Sequence, residues 1–252
     1  MDAILRLKQT KLFLQLLENE KKEGNQELSN KVENIVKMAA PLLQKIPENM
    51  PEYTLHDPIH SAKIIDIMGK ILPDEVLQNL NIIEISLLII SAYLHDIGMT
   101  CDKQEKEKII NENEDYKILF KSNVDKFQKF QQYKLEKNHR AATFIEDQIF
   151  TEYLRRNHVK RSAIFIKEKL ENGEFILSYN EIPFYKLLIK ICDSHGEPVK
   201  KLYDTNIWPR ETLVGENIIN VQYLSLILRL ADILDLDSER TPKIIYEFVN
   251  PE

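Results

Sequence analysis

The feature that most constrains this chain is a set of histidines and aspartates placed far apart in sequence, each in or beside an apolar helical pattern: His60, His95-Asp96, His158, His195 and Asp232. Removing an ionised group from water is costly unless it is paired or bound to a metal. A chain that carries several such groups into apolar surroundings implies a fold that brings them together. Nitrogen and oxygen donors converging from several helices point to a metal site.

The surroundings read as helix. Stretches rich in Leu, Ile, Lys and Glu repeat with helical spacing, strand-like alternation is rare, and only six of the 252 residues are glycine. An all-α fold follows. Residues 1 to about 22 put Ile4, Leu5, Leu12, Leu16 and Leu17 on one face, Lys22-Glu23-Gly24-Asn25 breaks the pattern, and a second helix spans roughly 28–46. These two helices suit either a homo-oligomer interface or a cap over the remaining bundle, since both use an amphipathic face. Asp57-Pro58 opens the next helix as N-cap and first-turn proline. It carries His60 and stops before Pro73.

The segment from about 81 to 97 is apolar nearly all round, which predicts a central helix. His95-Asp96 lies near its end and Gly98 can terminate it. Its apolar run, Ile82 to Leu94, is interrupted by Glu84 and too short to span a bilayer, so a buried core helix is expected and no membrane partner.

Residues 102–137 are highly charged and read as a solvated helical excursion or a mobile flap. Further helices are expected from about Thr151 to Gly173, carrying His158 and Arg161, and from about Pro183 to Asp193, delivering His195-Gly196. Glu197 to Gly215, with Trp208, reads as an irregular loop. A last helix from about Val221 to Leu236 sets Asp232 beside the apolar face of Leu224, Ile227, Leu228, Ala231 and Leu234. Asp235, Asp237 and Glu239 read as a solvated, turn-forming acidic segment.

The net charge of −6 disfavours a long nucleic-acid track, which needs distributed Lys and Arg. Cys101 and Cys192 form no spaced motif. The N-terminus is charged early and shows no signal-peptide pattern, so a cytoplasmic protein is expected.

A lone His-Asp pair is weak evidence, and this chain has two, His56-Asp57 and His95-Asp96. Their contexts are more specific. Tyr53-Thr54-Leu55-His56-Asp57-Pro58-Ile59-His60-Ser61, then Ala92-Tyr93-Leu94-His95-Asp96-Ile97-Gly98, then Leu228-Arg229-Leu230-Ala231-Asp232-Ile233-Leu234-Asp235 follow one another in the chain. In these segments it resembles the HD-domain metal-dependent phosphohydrolase superfamily, whose signature is H…HD…D. More loosely, the run from Tyr153 to Ser162 and Thr241-Pro242 are similar to a bacterial subgroup whose members are often followed by an Hsp90-like ATPase domain.

The resemblance implies a helical bundle over about residues 51–242, with an N-terminal helical extension at 1–50 and a tail or linker at 243–252. The chain closes on Phe248-Val249-Asn250-Pro251-Glu252 without a helix stop, so a fragment of a longer protein is one expectation, and in that case the looser resemblance implies a C-terminal ATPase domain. It implies one or two divalent ions. His60, His95, Asp96 and Asp232 would hold the first, and Asp96 would bridge to a second held by His158 and His195. Two ions about 3.5–4 Å apart position a hydroxide for in-line attack on phosphorus. Mixed imidazole and carboxylate donors suit Mn, Fe, Co, Ni or Zn, with Mg also in the set.

Several assignments keep an alternative. His139 competes with His158 for the second ion. His56, four residues before His60, is similar in spacing to the histidine that protonates the leaving oxygen in cyclic-nucleotide phosphodiesterases, and its alternative is a loop hydrogen bond. Arg161, one turn past His158, is a phosphate clamp or an ordinary surface ion pair. Arg229 is placed to pair with Asp232 three residues on. The function expected is a phosphohydrolase or phosphodiesterase acting on a small nucleotide-like phosphate ester. A regulatory or nucleotide-sensing module that controls a linked or partner domain is the alternative, and a purely structural helical scaffold is a third.

Overall fold

The computed structural model describes residues 3–24, 26–49 and 57–235. Helices α1 (Ala3–Leu7), α2 (Lys11–Glu23), α3 (Glu27–Leu43) and α4 (Ile46–Asn49) come first. The single N-terminal helix expected from the pattern is two, because Thr10 breaks it and caps α2 by accepting from Phe13 N. Gly24 ends α2 in the left-handed region at φ 71°, where a side chain would be strained. Within the chain, α2 and α3 pack on the central helix of the bundle.

Helix α5 (Pro58–Ile71) starts as the sequence predicts. Asp57 accepts from the backbone N–H of Ile59 and His60, and Pro58 occupies the first turn. The short α6 (Asp74–Asn79) leads to α7 (Ile82–Leu94), which opens with a reciprocal capping box between Asn81 and Glu84. Every residue of α7 is buried. The segment 82–99 is long and apolar enough by composition to cross a membrane, yet it lies wholly inside the bundle. A helix apolar all round needs neighbours on all sides, and α7 has α2, α3, α5 and two later helices.

The charged stretch forms α8 (Lys103–Glu112), α9 (Glu114–Ser122) and α10 (Val124–Leu135). The excursion is helical and anchored. Tyr116 stacks on Phe120 at 5.9 Å and meets Tyr153 edge-on at 5.7 Å, and Lys106 pairs with Asp147 at 2.7 Å. These contacts tie it to α11 (His139–Glu171), which begins twelve residues earlier than the periodicity suggests. At 33 residues α11 is about 50 Å long.

Helices α12 (Tyr185–Asp193) and α13 (Val221–Leu234) close the bundle. Two small antiparallel hairpins lie between the last helices, β1 (Ser178–Tyr179) with β2 (Ile182–Pro183) and β3 (Thr212–Val214) with β4 (Asn217–Ile219). They are too short to show as alternation. Their two-residue turns carry the positive φ angles that such hairpins need, at Asn180, Glu181 and Gly215.

Candidate metal centre

Five elements deliver the candidate ligands. His60 comes from the first turn of α5, where the Asp57 cap fixes the backbone. His95 continues α7, and Asp96 leaves it at φ −102°, ψ 5°, in the bridge region where active-site residues are often found. His158 projects from the middle of α11, and His195 sits in a 3-10 turn, Ser194–Gly196, just past α12. Asp232 is in the last turn of α13.

These side chains converge. Nε2 of His95 is 3.0 Å from Asp96 Oδ2, and Nε2 of His60 is 4.0 Å from the same oxygen. Asp232 Oδ1 lies 3.4 Å from His60 Nε2 and 3.9 Å from His95 Nε2. On its other side Asp96 Oδ1 faces His158 Nε2 at 3.4 Å and His195 Nε2 at 3.5 Å. Two donor groups result, His60/His95/Asp96 and Asp96/His158/His195, and each is compact enough to hold an ion. One carboxylate is shared between them.

Whether the donors suit a metal can be tested on their second nitrogens. His95 Nδ1 lies 3.1 Å from Ala92 O, His158 Nδ1 2.5 Å from Arg155 O, and His195 Nδ1 against Cys192 O. A carbonyl only accepts, so each Nδ1 carries a hydrogen, and each ring presents a bare Nε2 lone pair to the centre whenever it is neutral. His60 Nδ1 meets Asp235 Oδ2 at 2.6 Å, the carboxylate–histidine arrangement that orients metal ligands. The buried Nε2 of His95 faces the carboxylates of Asp96 at 3.0 Å and Asp232 at 3.9 Å. Nε2 of His158 and of His195 are 2.6 Å apart. Acceptors crowded against acceptors are what a cation between them would satisfy, so the residues fit a metal.

The electrostatics differ between the two ends, with a cation favoured at His95 and the neutral ring at His158. Burial opposes a charge on His95, but Asp96 and Asp232 outweigh it and lift its pKa to about 9. Burial, with the neighbouring histidines, lowers the pKa of His158 and favours its neutral, ligating form despite Asp96. Burial would raise Asp232, but His60 and His95 hold it below the usual carboxylate range. His60 and His95 are 2% and 1% exposed, whereas His158 and Asp232 reach 20% and 27%. The centre is therefore closed at the His60/His95 end and open beside His158 and Asp232.

Two glycines let the elements close. A Cβ on Gly98 would lie 2.1 Å from His158 O and 2.5 Å from Ser162 N, and one on Gly196 would lie 2.6 Å from Val159 Cγ2. Ser162 completes the junction by donating to His95 O at 2.7 Å and accepting from Gly98 N at 2.9 Å. Serine on a helix carries no signal of such a role, and Ser162 was not expected.

Other expectations come out differently. His139 is the exposed first residue of α11, 19 positions and about 28 Å of helix away from His158, so it does not compete for the site. Arg161 donates from Nε to Gly98 O, from Nη2 to Thr100 O and from Nη1 to Glu105 Oε1. It ties the turn after Asp96 to α8, a role that spacing alone did not separate from a phosphate clamp. Asp235 is not solvated: it is buried against His60, 175 positions away in the sequence. Arg229 makes no ion pair with Asp232 among the described residues; its Nη1 donates to Ser194 O and Glu197 O. His56, Asp237, Glu239, the Tyr53-Thr54 and Thr241-Pro242 segments and the tail at 243–252 lie outside the described residues.

Bundle and centre together define an all-α protein built around a histidine–aspartate cluster able to hold divalent metal. The chain belongs to the HD-CE family, an HD-domain family whose model matches residues 50–252. No curated protein and no solved structure matched the chain.

Proposed function

We propose that this chain is a metal-dependent phosphohydrolase or phosphodiesterase that cleaves a nucleotide-like phosphate ester and uses two divalent ions. The observation that carries the reading is the two-sided use of Asp96, with Oδ2 toward His60 and His95 and Oδ1 toward His158 and His195. Membership of an HD-domain family supports it.

Residues His60, His95, Asp96 and Asp232 would hold the first ion, and Asp96, His158 and His195 the second. Divalent ions there supply Lewis acidity toward a phosphoryl oxygen and lower the pKa of water. The chain's own contribution is geometric. The Nδ1 hydrogen bonds fix all four imidazoles with Nε2 inward, so little reorganisation is needed on loading. The deep end excludes water around His60 and His95, and the open side by His158 and Asp232 is where a phosphate ester would enter. His56 remains our candidate for protonating the leaving oxygen, on its spacing from His60 alone.

The test is elemental analysis of protein loaded with Mn, Co or Zn, with a screen of phosphomonoesters, cyclic nucleotides and short phosphodiesters. Two ions per chain with turnover that Asp96→Asn abolishes supports the proposal. Tight nucleotide binding without turnover of any ester favours the sensing module. Absence of bound ions after reconstitution removes both metal roles and leaves a scaffold.

A further inference from the structure

We propose that Arg229 is a positioning residue for the second ion, acting through the His195 turn, an inference that rests on the two-ion reading above. Arg229 lies on α13, one turn before Asp232. Its Nη1 donates to the carbonyls of Ser194 and Glu197, which bracket His195-Gly196.

The turn needs outside support. Helix α12 ends at Asp193, and carbonyls beyond a helix end lack helical partners. Within the turn itself, Glu197 N donates to Ser194 O at 3.1 Å. Arg229 brings a half-buried guanidinium to the same carbonyl and to Glu197 O, a charge-assisted pair placed where a helix C-terminus favours positive charge. From the opposite side Gly196 abuts Val159 of α11 closely enough that a Cβ would overlap it. The ring is then oriented by Nδ1 donating to Cys192 O. His195 is thus held from α12, α11 and α13 at once, and Arg229 is the only one of the three holds that carries a charge.

The first ion's donors do not depend on this turn. They come from α5, the end of α7 and α13 itself, and the α7 end is locked separately by Ser162. Loss of Arg229 should therefore act on one side of Asp96 and spare the other. Helix α13 contributes a ligand to one ion through Asp232 and a clamp to the other through Arg229.

The experiment is Arg229→Gln in the full chain, with ion stoichiometry and affinity measured by titration and elemental analysis, and with melting of the metal-free protein as control. We expect the first ion to bind as in the wild type and the second about 10- to 100-fold more weakly, the usual effect of removing an outer support of a ligand. His195→Ala and the double variant should then lose the second ion equally, because Arg229 acts through His195. Two ions bound with wild-type affinity by Arg229→Gln overturn the proposal, as does equal weakening of both ions. If Arg229→Gln does not fold, Arg229→Lys keeps the charge but not the guanidinium reach. It should weaken the second ion alone, and wild-type binding of both ions by it overturns the proposal. Wild-type protein that binds fewer than two ions overturns the two-ion reading itself, and Arg229 as its support falls with it.

Discussion

His158 and His195 aim their Nε2 atoms at each other across 2.6 Å, although each ring has its Nδ1 against a backbone carbonyl. Two lone pairs at that distance repel unless a cation lies between them or one takes up a proton. A second charge is disfavoured there, since burial and its neighbours already lower the pKa of His158. A divalent ion satisfies both nitrogens and Asp96 Oδ1 together.

Metal should therefore stabilise the fold. Ligand at a hundred times its Kd adds about 2.7 kcal/mol, which for a domain of this size is roughly 5–10 °C in Tm. We expect Mn, Co or Zn to raise the melting temperature by that order, a chelator to reverse the rise, and Asp96→Asn to abolish it. Thermal melts with and without metal decide, and an unchanged Tm with every metal tried refutes the prediction.

The pH dependence follows from His95. Its pKa stands at about 9 in the folded chain, against about 6.5 for an unperturbed imidazole. Because the folded value is the higher one, its contribution to stability is fully present below about pH 6.5 and is lost as pH rises through about 9. Metal-free protein should melt at falling temperature across that window. The same proton competes with metal for Nε2, so metal affinity should rise with pH over the same range and loading should release a proton. Calorimetry in two buffers of different ionisation enthalpy counts that release. His95→Gln should flatten the metal-free melting profile, and a wild-type profile already flat in this window would refute the assignment.

Asp235 offers a separate test. It meets His60 Nδ1 at 2.6 Å and holds the ring with Nε2 toward Asp96 and Asp232. Asp235→Asn keeps the shape but loses the carboxylate. We expect the first ion to weaken by about 10- to 100-fold while the second holds. This is the mirror of the effect expected for Arg229→Gln, and competition with a chromogenic chelator resolves the two ions. Equal effects on both would refute a role through His60.

Much of this centre was legible in the sequence because its signals are local. The Asp57-Pro58 start of α5, the all-apolar α7 and the histidines and aspartates that converge each show within a few positions. What was not legible depends on distant partners. Asp235 has the composition of a solvated turn, and its burial is set by His60 far away in the chain. Arg229 has the spacing of a helical ion pair, but the carbonyls left open at the end of α12 take its guanidinium instead. His139 rivalled His158 only while the start of α11 was placed too late. The aromatic contacts of Tyr116 and Phe120, which anchor the charged helices, were hidden in a stretch dominated by lysine and glutamate.

Gly98 and Gly196 both let a ligand-bearing turn approach α11, yet they should respond differently to substitution. A Cβ at Gly98 meets backbone, His158 O at 2.1 Å and Ser162 N at 2.5 Å, and neither can move without shifting α11. A Cβ at Gly196 meets Val159 Cγ2 at 2.6 Å, the end of a side chain that can turn aside. Gly98→Ala should cost more than the roughly 1–3 kcal/mol typical of overpacking and should weaken the second ion by displacing His158. Gly196→Ala should fall within that range and recover when Val159→Ala makes room. Urea unfolding of the three variants measures this directly. Rescue of Gly98→Ala by Val159→Ala, or no rescue of Gly196→Ala, would contradict the contacts that distinguish the two glycines.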